Sequence, residues 1–63
     1  MKAFNIEESI EKYVKSNPGT SVEEIIDFLD YVNKVRYSEA EVSGILLKLA
    51  AENKVLEKSK LWY

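Results

Sequence analysis

The sequence predicts a mainly α-helical fold with a small β-hairpin, in which a three-helix bundle is followed by a hairpin over residues 54–63. Two observations predict it. Three segments of the 63-residue chain repeat apolar residues at helical spacing, and each follows a Ser, Thr or Asn with Glu three positions later, a typical helix start. The last ten residues instead place Val, Leu, Trp and Tyr around a polar centre, as hairpin strands do. We therefore expect a single domain over residues 1–63.

The first helix is expected over residues 5–16. Asn5 and Glu8 have capping-box spacing, and the Ser-Asn-Pro-Gly of residues 16–19 ends the helix because proline disfavours helical backbone at the residue before it. Phe4 is expected to fold onto the core. The buried stripe is predicted to consist of Ile6, Ile10, Tyr13 and Val14.

The second helix is expected to begin at Thr20 or Ser21, since both have a Glu three residues later. We expect it to end between Leu29 and Val32. Its apolar stripe is predicted to consist of Val22, Ile25, Ile26 and Leu29, widened by Phe28 and Val32.

The connection over residues 31–37 is longer than a minimal helix-turn-helix turn and contains no glycine. Val35 is expected to plug it with an apolar side chain. Tyr37 is expected to pack immediately before the next helix, as a staple.

The third helix, between Ser38 and Asn53, has the clearest pattern. Ser38 and Glu41 have capping-box spacing, and Asn53 tolerates the left-handed backbone that often ends a helix. The apolar stripe of this helix is predicted to consist of Val42, Ile45, Leu46 and Leu49.

The hairpin has two acceptable turns. With residues 58–59 as the turn, three cross-strand pairs would form: Glu57 with Lys60, Leu56 with Leu61, and Val55 with Trp62. A four-residue loop is the alternative, because Lys-Ser is a poor sequence for a type I′ turn. Trp62 and Tyr63 are expected to close the core rather than to stack on a ligand.

The composition excludes several kinds of chemistry. The chain has no cysteine and no histidine, which removes disulfides, thiolate zinc sites and the commonest general base. Its carboxylates lie mainly at helix starts, and it has no Gly-rich phosphate loop. We expect no enzyme activity, metal, cofactor or small-molecule substrate. No apolar run approaches the roughly 18 residues of a membrane span, so a cytoplasmic protein without membrane contact is expected.

Charge is distributed unevenly along the chain, which has a formal net charge of −2. Residues 1–32 contain three lysines and seven acidic residues, whereas residues 33–63 contain six basic and four acidic residues. The halves therefore carry −4 and +2. This asymmetry is either an ordinary solvated surface or the mark of a negatively charged partner for the second half.

The order helix, helix, helix, hairpin resembles the winged helix-turn-helix superfamily over nearly the whole chain. The resemblance is carried by the core rhythm from Val42 to Leu49, by Asn53-Lys54-Val55, and by Leu61-Trp62-Tyr63 after a charged tip. Asn53 stands where the superfamily often has Gly. Most small stand-alone members bind DNA and regulate transcription.

The pattern is nearest to the Z-form nucleic-acid-binding domains, which have a similar Leu-Trp pair at the end of the wing. Ser43, Gly44 and Leu47 stand where that family has Asn, Arg and Tyr as contact residues, and its wing prolines are missing. We therefore do not expect this chain to bind Z-form nucleic acid as that family does.

The superfamily resemblance implies a small DNA-binding protein, a transcriptional regulator that acts as a dimer on double-stranded DNA. In such a fold the third helix approaches a groove, and the wing and the turn face phosphates. Ser43 and Lys48 would be the polar contacts of the helix. The phosphate contacts would come from Arg36, Lys54, Lys58 and Lys60.

The outward face of the third helix supports an alternative, a protein-interaction module that binds a partner or a second copy. At about 100° per residue, the face opposite the apolar stripe presents Ala40, Gly44, Leu47 and Ala51. A helix that reads a major groove normally presents Arg, Lys, Asn or Gln. Small residues about a turn apart instead let another helix approach closely. The remaining interpretation is that these are only good helix formers beside one exposed leucine.

Overall fold

The computed structural model describes residues 4–63 as three α-helices followed by a two-stranded antiparallel hairpin. The helices α1, α2 and α3 span Ile6–Ser16, Val22–Asn33 and Glu39–Ala51, and the strands β1 and β2 span Glu57–Lys58 and Leu61–Trp62. The predicted mainly α-helical bundle with a small hairpin is confirmed. Lys2, which contributes to the charge of the acidic half, lies outside the described residues.

One hydrophobic core receives side chains from all three helices and from the hairpin segment. Tyr13 of α1 and Phe28 of α2 stack at its edge, with ring centroids 4.4 Å apart. Burial of large apolar side chains, worth about 1.5–3 kcal/mol each, is the main term that offsets the ordering of so short a chain. The buried core residues are Ile10, Val14, Ile25, Ile26, Leu29, Val42, Leu46, Leu49, Val55 and Trp62.

Helix α1 begins where the sequence predicts. The side chain of Asn5 accepts a hydrogen bond from the backbone N–H of Glu8 at 3.1 Å. Ile10 and Val14 are buried, as predicted. Phe4 is 45% exposed, so the expectation that it folds onto the core was wrong. It precedes the helix, so no helical period directs it inward.

Helix α2 has Ser21 as its N-cap, which decides between the two predicted starts. The Ser21 hydroxyl accepts from the backbone N–H of Glu24, and the Glu24 carboxylate accepts from that of Ser21. The helix continues past its predicted end to Asn33, and Lys34 then adopts left-handed backbone with φ 59°. Val32 is exposed and does not widen the buried stripe, because it lies in this last turn, at the edge of the bundle.

The connection from α2 to α3 has no apolar plug at the predicted position. Val35 is 45% exposed, so that prediction was wrong. Tyr37 packs against the core instead, and its hydroxyl accepts a hydrogen bond from the side-chain amide of Asn33 at 3.0 Å. Tyr37 directly precedes the N-cap Ser38, a position from which an apolar side chain can pack onto the helix, as predicted for a staple.

Helix α3 has the predicted start and the predicted buried stripe. Ser38 and Glu41 form a complete capping box. Val42, Leu46 and Leu49 are buried, and Ile45 is half-buried and packs against the same core.

The end of α3 is a Schellman motif, which directs the chain into the hairpin. Asn53 has φ 61°, as predicted for the left-handed residue after the helix. Its backbone N–H donates to the carbonyl of Ala50 at 3.0 Å, and that of Lys54 donates to the carbonyl of Leu49 at 2.9 Å. Val55 follows directly and is buried.

The turn of the hairpin lies one residue later than the first of the two predicted turns. Glu57 pairs with Trp62 and Lys58 with Leu61, so Ser59-Lys60 forms a two-residue turn. The predicted pairs of Glu57 with Lys60, Leu56 with Leu61 and Val55 with Trp62 were therefore wrong. Each cross-strand partner moves by two positions, and because side chains alternate with period two, the new partner points to the same side of the hairpin as the predicted one.

A backbone bridge between Thr20 and Trp62 explains this register. The N–H of Trp62 donates to the carbonyl of Thr20 at 2.8 Å, and the N–H of Gly19 donates to the carbonyl of Trp62 at 2.8 Å. Trp62 is only 6% exposed. The large apolar surface of tryptophan and these hydrogen bonds outweigh the preference of the turn residues.

Candidate nucleic-acid interface

The outward face of α3 is uncovered by the described part of the chain. Ala40, Gly44, Leu47 and Ala51 are all exposed, and Leu47 is 63% exposed. A Cβ atom added at Gly44 would meet no atom within 4 Å. The fold therefore gives no internal reason for a glycine at this helical position, where alanine would be more stable.

The two polar residues predicted to contact DNA from α3 differ in their surroundings. Ser43 is half-buried. Lys48 is exposed, but its Nζ lies 2.8 Å from Oε2 of Glu7 in the first turn of α1. This hydrogen bond raises the pKa of the Lys48 ammonium above its ordinary value. Lys48 thus already has a carboxylate partner within the fold.

Arg36 is bound to helix α2. Its Nη1 lies 3.0 Å from Oδ1 of Asp27 and 3.4 Å from Oδ2 of Asp30. The hydrogen bond to Asp27 is the main cause of a raised pKa for the Arg36 guanidinium. A surface depression of about 400 Å³ at this position is also lined by Glu23 and Glu39, so its surroundings are acidic.

Lys54 lies close to the acidic side of α1. Its Nζ is 3.4 Å from Oε1 of Glu52 at the end of α3. It also lines a groove together with Glu7, Glu8 and Glu11 of α1.

Lys58 and Lys60 flank Ser59 at the hairpin turn. Within residues 4–63, neither ammonium lies within ion-pair distance of a carboxylate. Ser59 and Lys60 have φ of 55° and 65°, and the Glu57 carboxylate accepts the backbone N–H of Lys60 at 3.0 Å. The turn thus displays two lysines without an ion-pair partner beside one carboxylate, that of Glu57, which is bonded to the backbone.

The aromatic residues at the end of the hairpin have different environments. Trp62 belongs to the core, as predicted, whereas Tyr63 is 42% exposed. Tyr63 and Leu56 exchange backbone hydrogen bonds and line an apolar depression of about 430 Å³ with Lys58 and Ser59. The expectation that Tyr63 closes the core was wrong, because alternation along β2 places it on the face opposite Trp62.

The five basic residues predicted to contact DNA therefore occupy three places, and Ser43 lies half-buried on α3. Arg36 lies against α2, Lys48 and Lys54 lie beside α1, and Lys58 and Lys60 lie at the hairpin turn. Sequence reasoning did not identify Glu7 as a partner of Lys48. The two positions are 41 residues apart, and no local pattern joins them.

Residues 4–63 contain neither a metal-binding cluster nor a membrane-spanning helix. These residues contain no group of three or more acidic side chains arranged to hold a metal ion. Their helices are too short or too polar to cross a membrane.

Comparison with known proteins gives no relative. The chain matches no protein-family model, no curated protein and no solved structure.

Proposed function

We propose that this chain is a winged-helix protein that binds double-stranded DNA, and that it regulates transcription as a dimer. The architecture supports the proposal, since a bundle of three helices with an uncovered α3 is followed by an antiparallel hairpin. The observation that carries it is the pair of exposed lysines without ion-pair partners, Lys58 and Lys60, at the hairpin turn.

In this proposal α3 approaches a groove of the duplex. An α-helix with side chains is about 10–12 Å wide, close to the roughly 12 Å width of the major groove. Ala40, Gly44 and Ala51 keep the exposed side of α3 narrow. Alanine and leucine side chains can contact thymine methyl groups, and Ser43 and Lys48 add polar contacts.

The remaining contacts would be made to phosphates. The ion pairs of Arg36, Lys48 and Lys54 are exposed to solvent and therefore weak, so a phosphate can replace the carboxylate at small cost. Phosphate contacts give affinity that falls steeply with salt and carries little sequence information. We therefore propose binding with weak sequence preference.

The test is a titration with duplex DNA at several salt concentrations. The variant Lys58→Glu/Lys60→Glu removes the two lysines of the hairpin turn. The control variant Lys12→Glu/Lys15→Glu changes the net charge by the same amount, but its substitutions lie on α1. Each lost phosphate contact lowers the slope of log K against log salt by about 0.9, so the hairpin variant should lower it by about two. The α1 variant should weaken binding less and leave the slope nearly unchanged.

Two results would contradict the proposal. One is the absence of binding by the wild-type protein at low salt. The other is an equal loss of binding for the hairpin variant and the α1 variant, which would mean that only net charge matters.

A second candidate function is a protein-interaction module that uses the outward face of α3. The exposure of Leu47 and the open space around Gly44 favour it, because both allow close approach by another helix. Its test is the molecular mass at high concentration for Leu47→Glu and for Leu56→Glu, a similarly exposed leucine outside α3. Self-association lost only with Leu47→Glu supports the second candidate, and a wild-type monomer unaffected by the change contradicts it for a second copy.

A further inference from the structure

The contact between Lys48 and Glu7 joins the proposed DNA-contacting helix to the acidic half of the chain. Lys48 is the one basic residue of α3. Its Nζ lies 2.8 Å from the Glu7 carboxylate, and both side chains are close to half exposed. The bond therefore lies at the surface, where a phosphate oxygen can compete for the same ammonium.

The same relationship recurs at Arg36. Its guanidinium is held by Asp27 and Asp30, which also belong to the acidic half. Carboxylates of residues 4–32 thus form ion pairs with two of the cations that the proposed function assigns to DNA. In the fold, these ion pairs join the acidic first half of the chain to the basic second half.

We propose that Glu7 is an intramolecular competitor for Lys48 and thereby weakens DNA binding. The inference rests on the proposed DNA-binding function. The ammonium must leave the carboxylate before it contacts a phosphate, and an exposed pair of this kind contributes a factor of roughly two to five in an equilibrium constant. Removal of the carboxylate therefore strengthens binding by that factor.

Glu8 offers a matched control on the same turn of α1. Its carboxylate lies 3.6 Å from Lys12, four residues later on the same helix, and not beside Lys48. Glu7→Gln and Glu8→Gln remove the same charge from the same helix N-terminus. Both changes reduce general repulsion of DNA and the favourable interaction with the helix dipole to a similar extent. Only Glu7→Gln removes the charged partner of Lys48.

The experiment measures binding to a duplex of about 20 base pairs, two helical turns, by fluorescence anisotropy over a range of salt concentrations. Glu7→Gln should bind roughly two- to fivefold more tightly than Glu8→Gln. Its salt slope should match that of Glu8→Gln, since Lys48 contacts a phosphate in the bound state of both variants. The advantage should disappear when Lys48→Ala is added to both variants. Glu7→Asp keeps the net charge but shortens the side chain, so it should give part of the gain.

Equal affinities of Glu7→Gln and Glu8→Gln would overturn the competitor role while leaving DNA binding intact. An advantage of Glu7→Gln that persists with Lys48→Ala would overturn it as well. Absence of binding by every variant, including the wild type, would overturn both the competitor role and the proposed function.

Discussion

The hairpin turn gives the sharpest prediction, for the variant Lys60→Gly. Lys60 has φ 65°, a left-handed backbone that costs a residue with a side chain about 1–2 kcal/mol and glycine almost nothing. Glycine also loses more backbone freedom on folding, which costs about 0.5–1 kcal/mol. The net expectation is a gain of roughly 0.5–1 kcal/mol in the free energy of unfolding.

The matched control is Lys58→Gly. Lys58 lies in β1, is not among the residues with positive φ, and is exposed like Lys60. Both variants remove one lysine from the hairpin, so the change in charge is the same. Glycine in a strand weakens it, and we expect Lys58→Gly to lower the free energy of unfolding by about 0.5–1 kcal/mol.

The assay is denaturant and thermal unfolding followed by the fluorescence of Trp62, which is buried and bonded to Thr20. These contacts couple the hairpin to the core, so a local change in the turn should be visible in global unfolding. A difference of about 1 kcal/mol corresponds to about 4–8 °C in the midpoint for a chain of this size.

The ranking of the two variants decides between the turns. With a turn at residues 58–59, Lys58→Gly would be the stabilising variant and Lys60→Gly the destabilising one. A Lys60→Gly protein that is no more stable than Lys58→Gly would therefore refute the Ser59-Lys60 turn and the reasoning built on its left-handed backbone.

Two further pairs of variants test the core and the exposed face of α3. Leu46→Ala should destabilise the fold by about 2–5 kcal/mol because Leu46 is buried. Leu47→Ala, at the neighbouring exposed position, should change the free energy of unfolding by less than about 0.5 kcal/mol in chemical denaturation. Similar losses for both variants would mean that the buried stripe of α3 is misplaced. Gly44→Ala should stabilise the fold by about 1 kcal/mol, because the added Cβ atom meets open space on α3. Gly19→Ala should destabilise the fold, because Gly19 has φ 85°. A Gly19→Ala protein that melts at a higher temperature than Gly44→Ala would contradict the backbone described for these two glycines.

The helices and their starts could be predicted from the sequence because their signals are local. The capping box of Ser38 and Glu41 spans one helical turn, and so does that of Ser21 and Glu24. The apolar stripes repeat over three or four residues, which is why the buried residues of α3 were identified correctly. Asn53 ends its helix as predicted because left-handed backbone is a local preference of that residue type.

The failures of sequence reasoning at Phe4, Val32 and Val35 have a common cause. Each is apolar and lies before a helix or near the end of one, where hydrophobic character alone was taken to imply burial. Single apolar residues are often exposed in folded proteins, and only the packing of neighbouring helices decides which ones are covered.

The sequence by itself determined the three helices, the caps of α1 and α3, the centres of the buried stripes and the presence of a terminal hairpin. The tertiary structure alone decided the turn of that hairpin, because the register depends on the bridge from Trp62 to Thr20 rather than on the turn residues. It also decided the partners of the cations, since Lys48 and Glu7 are brought together only when α1 and α3 pack. The physical reason is distance along the chain: capping and periodicity act within a few residues, whereas these contacts join segments that only the folded bundle makes neighbours.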